Sequence, residues 1–187
     1  MRVKKGEFGY LNRRKKGALI WIILLVVIAL TIYITGLLLN KMSNRNVFTI
    51  IAMLFVLPIA KQLVAVIVLF PYHSVGQERY RKVLDHLPER VELMTDLVIT
   101  STEHVMHLDF LVLGQNQVIA LLGDGKQQLS EVRSYLKNGV HNWGSDYKVK
   151  IVDSEKLFLQ ELQTMPKAEP DPEEEERVRS YLHSLIV

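Results

Sequence analysis

The sequence predicts an α+β protein in which a two-helix transmembrane hairpin precedes a small cytoplasmic αβββαβα domain with a central mixed sheet. Three observations support this fold class. Two long apolar stretches occupy most of residues 17–70, the remainder alternates between the hydrophobic periods of helices and strands, and the net charge differs in sign between the two parts. At 187 residues, the chain has room for one modest globular domain beside the hairpin.

The first apolar stretch, residues 17–39, contains 23 residues without a charged side chain. A helix of that length crosses the ~30 Å hydrocarbon core of a bilayer. A secretory signal peptide has a shorter apolar core that ends in a small-residue cleavage site. We therefore expect a retained transmembrane helix over 17–39, preceded by a basic arm over 1–16.

The second apolar stretch, residues 47–70, follows a short external loop over 40–46 and is interrupted by Pro58, Lys61 and Gln62. We interpret it as a Pro-kinked transmembrane helix. Lys61 and Gln62 then form a polar site within the membrane that faces another helix or reaches toward an interface. A re-entrant segment and a transport path around Lys61 are the alternatives.

Positive charge predicts the orientation of this hairpin. Seven Lys and Arg residues precede the first stretch, two lie in the loop, and four follow within twenty residues of the second stretch. The positive-inside rule then places both termini in the cytoplasm. We expect a two-pass protein of the inner (plasma) membrane, with the lipid bilayer as one partner and anionic lipid headgroups in contact with the basic arm.

Composition excludes several classes of function. The absence of cysteine excludes disulfides, thiolate catalysis and Cys-ligated metal centres. Residues 1–70 carry ten basic side chains and one acidic side chain, for a charge of +9, whereas residues 71–187 carry thirteen and nineteen, for −6. Because the water-soluble part is acidic, nucleic acid is disfavoured as a partner.

Residues 71–165 are predicted to form the cytoplasmic α/β domain. A helix is expected over 74–87, and strands are expected over 91–99, 105–113, 118–122 and 147–151. Asp124 opens another helix with Gln127 in the capping-box position, and a further helix begins after Ser154. In the second strand, alternation predicts that one face carries Met106, Leu108, Phe110 and Val112.

The end of the chain is predicted to contain a linker and a helix. Residues 166–176, PKAEPDPEEEE, combine three prolines with six acids and are expected to form an extended acidic linker. Residues 177–187 form a short amphipathic helix, which needs to dock on this domain, on a second copy or on another protein. Its predicted partner-binding face comprises Val178, Tyr181, Leu182, Leu185 and Ile186.

The predicted hairpin of the second and third strands is similar to part of a known protein superfamily. The strand His107-Leu108-Asp109-Phe110-Leu111-Val112, followed by the buried strand Val118-Ile119-Ala120-Leu121-Leu122, resembles the restriction-endonuclease-like superfamily, particularly its nuclease-related membrane-associated branch. The similarity covers about residues 74–153. It implies that Asp109 is a metal ligand, with Asp124 and Lys126 as an acid-x-lysine pair around a magnesium ion.

The sequence departs from that family pattern at the third strand. The positions expected to hold the second acid are occupied by Leu121 and Leu122, and Asp124 has a structural role as a helix cap. We therefore expect a degenerate, non-catalytic version of the fold that needs no cofactor. The predicted function is a membrane-anchored interaction or scaffold module, with a protein partner or a second copy. The alternatives are a membrane-tethered magnesium-dependent nuclease and an accessory subunit of a channel or transporter complex.

Overall fold

The computed structural model describes residues 4–41, 43, 46–101, 105–125, 127–166 and 171–187. The chain divides into two compact units. One comprises Arg13–Pro71, and the other combines Met1–Asn12 with Tyr72–Val187.

The first unit is an apolar helical pair. Helix α1 runs over Tyr10–Leu39, and the second helical segment comprises α2 (Val47–Leu54) and α3 (Val56–Leu69). Both segments are long and apolar enough to cross a membrane. The predicted kink lies at Phe55, where α2 gives way to α3. Pro58 explains this position, because it has no N–H to donate to the carbonyl of Leu54.

Helix α1 begins at Tyr10, which is seven residues before residue 17, the predicted start of the transmembrane helix. Gly9 has a positive φ of 77°, and no helix-breaking residue follows it before the apolar stretch. Lys and Arg are good helix formers, so residues 10–16 of the basic arm are part of the same helix as the apolar stretch. The predicted basic arm is therefore largely structured, and residues 1–3 lie outside the described part of the chain.

The second unit contains the predicted mixed sheet. Strands β1 (Glu92–Thr100), β2 (Val105–Gly114), β3 (Gln117–Leu122) and β4 (Lys148–Val152) are arranged in that order. The first two pairings are antiparallel, and β3 pairs with β4 in parallel. The predicted element order is confirmed by α4 (Gln77–Leu84), α5 (Leu129–His141) and α6 (Glu155–Gln163), and α7 (Pro172–Leu185) follows.

Helices cover both faces of the sheet. On one face, α5 buries Val132 and Leu136, and α7 buries Val178 and Leu182 in the same hydrophobic cluster. On the other face, a second cluster contains side chains of α4 and α6, including Phe158, which packs against Phe110 of β2 with ring centroids 5.9 Å apart. The sheet is thus enclosed by apolar side chains on both sides.

The strict alternation predicted for β2 is wrong across Asp109. The register of β2 against β3 shifts between Leu108 and Phe110, which is a β-bulge. As a result, Leu108 belongs to the cluster beneath α5 and α7, whereas Phe110 belongs to the opposite cluster. The adjacent strand β1 is also distorted at this level, because Asp96 has a φ of 58°.

The acidic segment before the last helix also differs from the prediction. Helix α7 begins at Pro172, so residues 172–176 are helical rather than part of an extended linker, and residues 167–170 lie outside the described ranges. Asp171 caps the helix by accepting a hydrogen bond from the Glu173 amide at 3.1 Å. Proline at the first helical position and glutamates in the first turn both favour a helix start here.

The last helix docks on its own domain, the first of the three predicted possibilities. Val178 and Leu182 are fully buried, Ile186 is 2% exposed, and Tyr181 and Leu185 are half-buried against the same core. The Val187 amide also donates to the carbonyl of Val98 at the edge of β1. The apolar face is therefore filled by this domain, and its three most buried side chains are not available to a separate partner.

Candidate functional site

The bulge in the sheet gathers a cluster of buried polar residues. Asp96 in β1 and Asp109 in β2 lie opposite each other, between the residue pairs Thr95–Phe110 and Leu97–Leu108. Asp96 is 1% exposed and Asp109 is 7% exposed, and His107, two residues before Asp109, is 2% exposed. Buried carboxylates are costly unless they are paired or hydrogen-bonded, so the partners of each residue define the chemistry of the cluster.

Asp109 is paired with a guanidinium group. Nη1 of Arg79, on α4, lies 2.7 Å from Oδ2 of Asp109. Nε of the same arginine donates to Oε2 of Glu155 at 2.8 Å, and Lys82 lies 2.8 Å from the other oxygen of Glu155. The resulting chain of charges connects β2, α4 and α6.

The pKa values of this ion-pair network follow its contacts. Hydrogen bonds from Lys82 and Arg79 lower the pKa of Glu155 below its ordinary value. Burial acts to lower the pKa of Arg79, but its bonds to Glu155 and Asp109 outweigh burial, and the net pKa is raised. The guanidinium therefore stays charged, and it holds the Asp109 carboxylate in a charge-assisted pair.

Asp96 binds two backbone amides and the side chain of Ser74. Its Oδ1 accepts a hydrogen bond from the Val75 amide at 2.8 Å, and its Oδ2 accepts one from the Gly9 amide at 3.1 Å. Gly9 immediately precedes α1, and Val75 lies shortly after the end of α3. A single carboxylate thus holds both segments that connect this domain to the apolar helices, and both segments are folded parts of the domain.

Burial also affects the protonation of Asp96. Desolvation raises its pKa above the ordinary value of 3.8, although the bonds from Val75 and Gly9 oppose the shift.

The segment that precedes α1 is also held by a backbone hydrogen bond to β1. The Thr95 amide donates to the carbonyl of Gly6 at 2.8 Å. The edge of β1 is consequently covered near the bulge by the segment that precedes α1.

His107 is buried without a hydrogen bond from either ring nitrogen to any residue in the described ranges. Its Nδ1 lies 3.9 Å from Oδ1 of Asp109, and its ring packs against Tyr72 with centroids 4.8 Å apart. Burial lowers its pKa below the ordinary value of 6.5, although the charges of Asp109 and Asp96 act in the opposite direction. The imidazole is therefore neutral at pH 7.

A glycine after β3 allows this arrangement. A Cβ atom at Gly123 would lie 2.2 Å from Nδ1 of His107 and 2.7 Å from Oδ1 of Asp109. The Gly123 amide donates to the carbonyl of His107 at 2.9 Å, so the loop passes directly over the strand. Any side chain at this position would displace the two polar groups beneath it.

The predicted capping box at Asp124 and Gln127 is wrong. Helix α5 begins at Leu129, and Gln127 instead forms hydrogen bonds with β2. Its Oε1 accepts from the His107 amide, and its Nε2 donates to the His107 carbonyl, both at 2.6 Å. Nε2 also lies 3.0 Å from the carbonyl of Gly123. The side-chain amide satisfies the strand backbone, a tertiary role that helix-start rules do not predict.

The residues of the implied magnesium site are distributed differently from the family pattern. Asp109 lies in the buried cluster with a guanidinium partner, Asp124 is exposed on the loop after β3, and Lys126 lies outside the described residues. Leu121 is buried in the core. Within the described ranges, no three His, Asp or Glu residues are grouped as metal ligands. The magnesium role of Asp109 and Asp124 stays a prediction.

An open cleft of about 580 Å³ lies beside the cluster and shares Tyr72 and Gln127 with it. Its other described lining residues come from α5, the start of β2 and the adjoining loops. Burial raises the pKa of Tyr72, which stays protonated and keeps its hydroxyl as a donor. The remaining lining residues are mainly neutral polar and apolar: Ser101, Val105, Met106, Gln128, Glu131, Val132, Ser134, Tyr135 and Asn138.

Sequence reasoning identified Asp109 but missed Arg79, Asp96, Gly123 and Gln127. One signal was available for Asp96, since it is an acid in the middle of a strand whose residues 93–100 are otherwise uncharged. No family model, curated protein or solved structure matches this chain.

Proposed function

We propose that this chain is a two-pass protein of the inner (plasma) membrane whose cytoplasmic α/β domain is a non-catalytic interaction or scaffold module. The two long apolar helices support the membrane assignment, since most of their large side chains are exposed in the isolated chain and few are buried. Soluble proteins bury such surface, whereas lipid accommodates it. The excess of positive charge before and after the hairpin supports the orientation.

The single observation that carries the non-catalytic proposal is the ion pair between Arg79 and Asp109. A carboxylate that binds magnesium must offer its oxygens to the cation. Here one oxygen is 2.7 Å from a guanidinium nitrogen, and that arginine is held in place by Glu155. Binding magnesium at Asp109 would bring a second positive charge against Arg79. The arrangement favours a structural role for this acid.

The exposed surface of the domain supports a role in binding protein. Trp143, in the turn directly after α5, is 49% exposed and stacks on Tyr181 of α7 with centroids 6.2 Å apart. Gly139 permits this contact, because a Cβ atom there would lie 1.8 Å from the Tyr181 hydroxyl. Exposed aromatic side chains on a rigid support are typical anchors of protein interfaces. The acidic charge of the domain disfavours nucleic acid as its partner.

The start of α1 supports contact with lipid headgroups. Arg13, Arg14 and Lys16 are exposed within about one turn of the helix, directly before its apolar part. Basic side chains at this position bind anionic headgroups, with about 1 kcal/mol for each charge near the surface.

The experiment that tests the non-catalytic proposal uses the full chain, purified in mild detergent and incubated with DNA and RNA in the presence of magnesium. We expect no more cleavage than with Asp109→Asn. The control is Asp153→Asn, a substitution at an exposed acid. Cleavage by the native chain and by the control, lost only in Asp109→Asn, would favour the nuclease alternative instead.

The interaction proposal is tested by a photo-crosslinking amino acid placed at Trp143 in cells. We expect discrete protein adducts, and fewer adducts from the same probe at Lys137, an exposed residue of α5 that precedes Trp143 by six residues. Equal, diffuse labelling from both positions would contradict a binding role for the Trp143 surface.

A further inference from the structure

Lys61 is a charged residue within the second apolar segment, and its depth follows from contacts inside the helical pair. Nζ of Lys15 donates to the carbonyl of Phe70 at 3.2 Å, which fixes one end of the pair. At the other end, a Cβ atom at Gly36 would lie 2.4 Å from Cβ of Phe48, so the helices approach closely there. Lys61 lies between these two ends.

The distance of Lys61 from each end places it near the middle of the hydrocarbon. It precedes Phe70 by nine residues, about 13 Å along a helix, and follows Val47 by fourteen residues, about 21 Å. A bilayer core is about 30 Å thick. The side chain leaves its helix toward the N-terminus, away from the nearer end. Extension to the headgroups on the nearer side is therefore unfavourable.

Helix α1 supplies no side-chain acceptor at this depth, and Gln62, the neighbour of Lys61 on its own helix, points to a different side of that helix. The contacts Lys15–Phe70 and Gly36–Phe48 place Lys61 at the level of Leu24 on α1. Residues 17–30 of α1 are apolar, and the only polar atom among their side chains is the indole N–H of Trp21, which is a donor like the ammonium group. The Lys61 side chain is exposed and has no ion pair or hydrogen bond within the described residues.

The absence of carboxylates favours a different protein over a second copy, whose side-chain acceptor at this depth would be the neutral amide of Gln62. No acidic residue occurs between Glu7 and Glu78. A second copy of the hairpin would therefore bring another lysine and no carboxylate to this depth. Charged residues within membranes pair with groups of opposite charge or with other polar groups in the bundle.

We propose that Lys61 is the docking point for a transmembrane helix of another protein that carries an aspartate or glutamate near the middle of the membrane. This inference rests on the proposed membrane insertion. The ammonium group donates to the carboxyl group of the partner helix, and the flanking apolar residues of α3 pack against it. Such an interaction is the one that the accessory-subunit alternative requires.

The test uses the full chain in liposomes with a defined probe, a single-span helix of leucine and alanine with one central aspartate. Because the chain lacks cysteine, Ser43→Cys provides a unique site for a fluorescent donor, and the probe carries the acceptor. We expect energy transfer to report an association about tenfold tighter than with a probe that has leucine instead of aspartate. Lys61→Leu removes the difference, and Lys61→Arg retains it.

Each contrary outcome has a distinct meaning. Equal association of the two probes, or an undiminished difference in Lys61→Leu, would overturn the docking proposal. Self-association of the chain that is lost in Lys61→Leu would overturn it in favour of a second copy. Flotation of the chain with the liposomes, measured on the same samples, separates these results from failure of the membrane assignment, since a chain that does not float would overturn both proposals.

Discussion

Nη1 of Arg79 lies 2.7 Å from Oδ2 of Asp109, and this contact connects the first helix of the α/β domain to the bulge in its sheet. The side chain of Asp109 is 10% exposed and that of Arg79 is 41% exposed, so the acid is the more deeply buried partner. Loss of the arginine would leave a nearly buried carboxylate without its counter-charge. The pair therefore matters for stability whether or not the domain binds a metal.

We expect Arg79→Ala to lower the free energy of unfolding by about 1–3 kcal/mol, less than for a fully buried pair because the arginine is partly exposed. Lys82→Ala, which removes an exposed partner of Glu155, is the matched control and should cost less than about 1 kcal/mol. Chemical unfolding of the full chain in mild detergent measures both, with Trp143 as the reporter in a Trp21→Phe background. Equal effects would show that the Asp109 contact adds no stability.

Gly123→Ala should be strongly destabilising, because its Cβ would overlap with His107 and Asp109. We expect a loss of about 2–3 kcal/mol, the cost of forced rearrangement in a packed site. Gly125→Ala is the control in the same loop, since a Cβ there would meet nothing closer than 3.8 Å. If the two alanine variants unfolded at the same denaturant concentration, the close approach of the loop to β2 would be incorrect.

His107 predicts a pH dependence with a definite sign. Its folded-state pKa is lowered by burial, so below pH 6.5 the unfolded chain binds a proton that the folded chain does not. Stability therefore falls as pH decreases from 6.5 toward the folded pKa, by up to about 1.4 kcal/mol per pH unit. His107→Phe keeps an aromatic ring beside Tyr72 and should remove this component.

The measurement is the unfolding free energy of the native chain and of His107→Phe between pH 7.5 and 5.5. Asp96 has the opposite sign, because its raised pKa makes the folded state bind the extra proton. Asp96 is present in both proteins, so the difference between their unfolding free energies reports the contribution of His107. If the unfolding free energies of the two proteins had the same pH dependence, His107 would not be a buried, neutral imidazole.

The last helix should contribute to the stability of the domain. Leu182→Ala removes a fully buried side chain and should cost about 2–4 kcal/mol. Ser180→Ala, on the exposed side of the same helix, should change stability by less than about 0.5 kcal/mol. The measurement is again the free energy of unfolding of the full chain. If Leu182→Ala left this free energy unchanged, α7 would not dock on this sheet.

The fold was predictable where hydrophobic periodicity is strong. The apolar stretches, the four strands and the order of elements follow from local patterns. The start of α7 is harder to predict, because the composition of 166–176 favours an extended linker, although Asp171 and Pro172 are typical of a helix start. In this segment the capping residue Asp171 predicts the structure better than the run of acidic side chains does.

The site was only partly predictable, for a different reason. Asp109 stood out as an acid within a buried strand, but its partner Arg79 is thirty residues earlier on a helix. Gln127 has a locally plausible role as a capping residue, yet it bonds the backbone of His107 instead. Contacts of this kind depend on which elements meet in space, and local propensity contains no information about them.

The most direct test of the membrane assignment maps which side of the membrane each part of the chain faces. Single cysteines are introduced as Ser43→Cys in the loop between the apolar helices and as Ser134→Cys on α5, and intact cells are treated with a membrane-impermeant maleimide. We expect labelling at position 43 in intact cells and at position 134 only after permeabilisation. Labelling at position 134 in intact cells, with position 43 protected, would contradict the proposed topology.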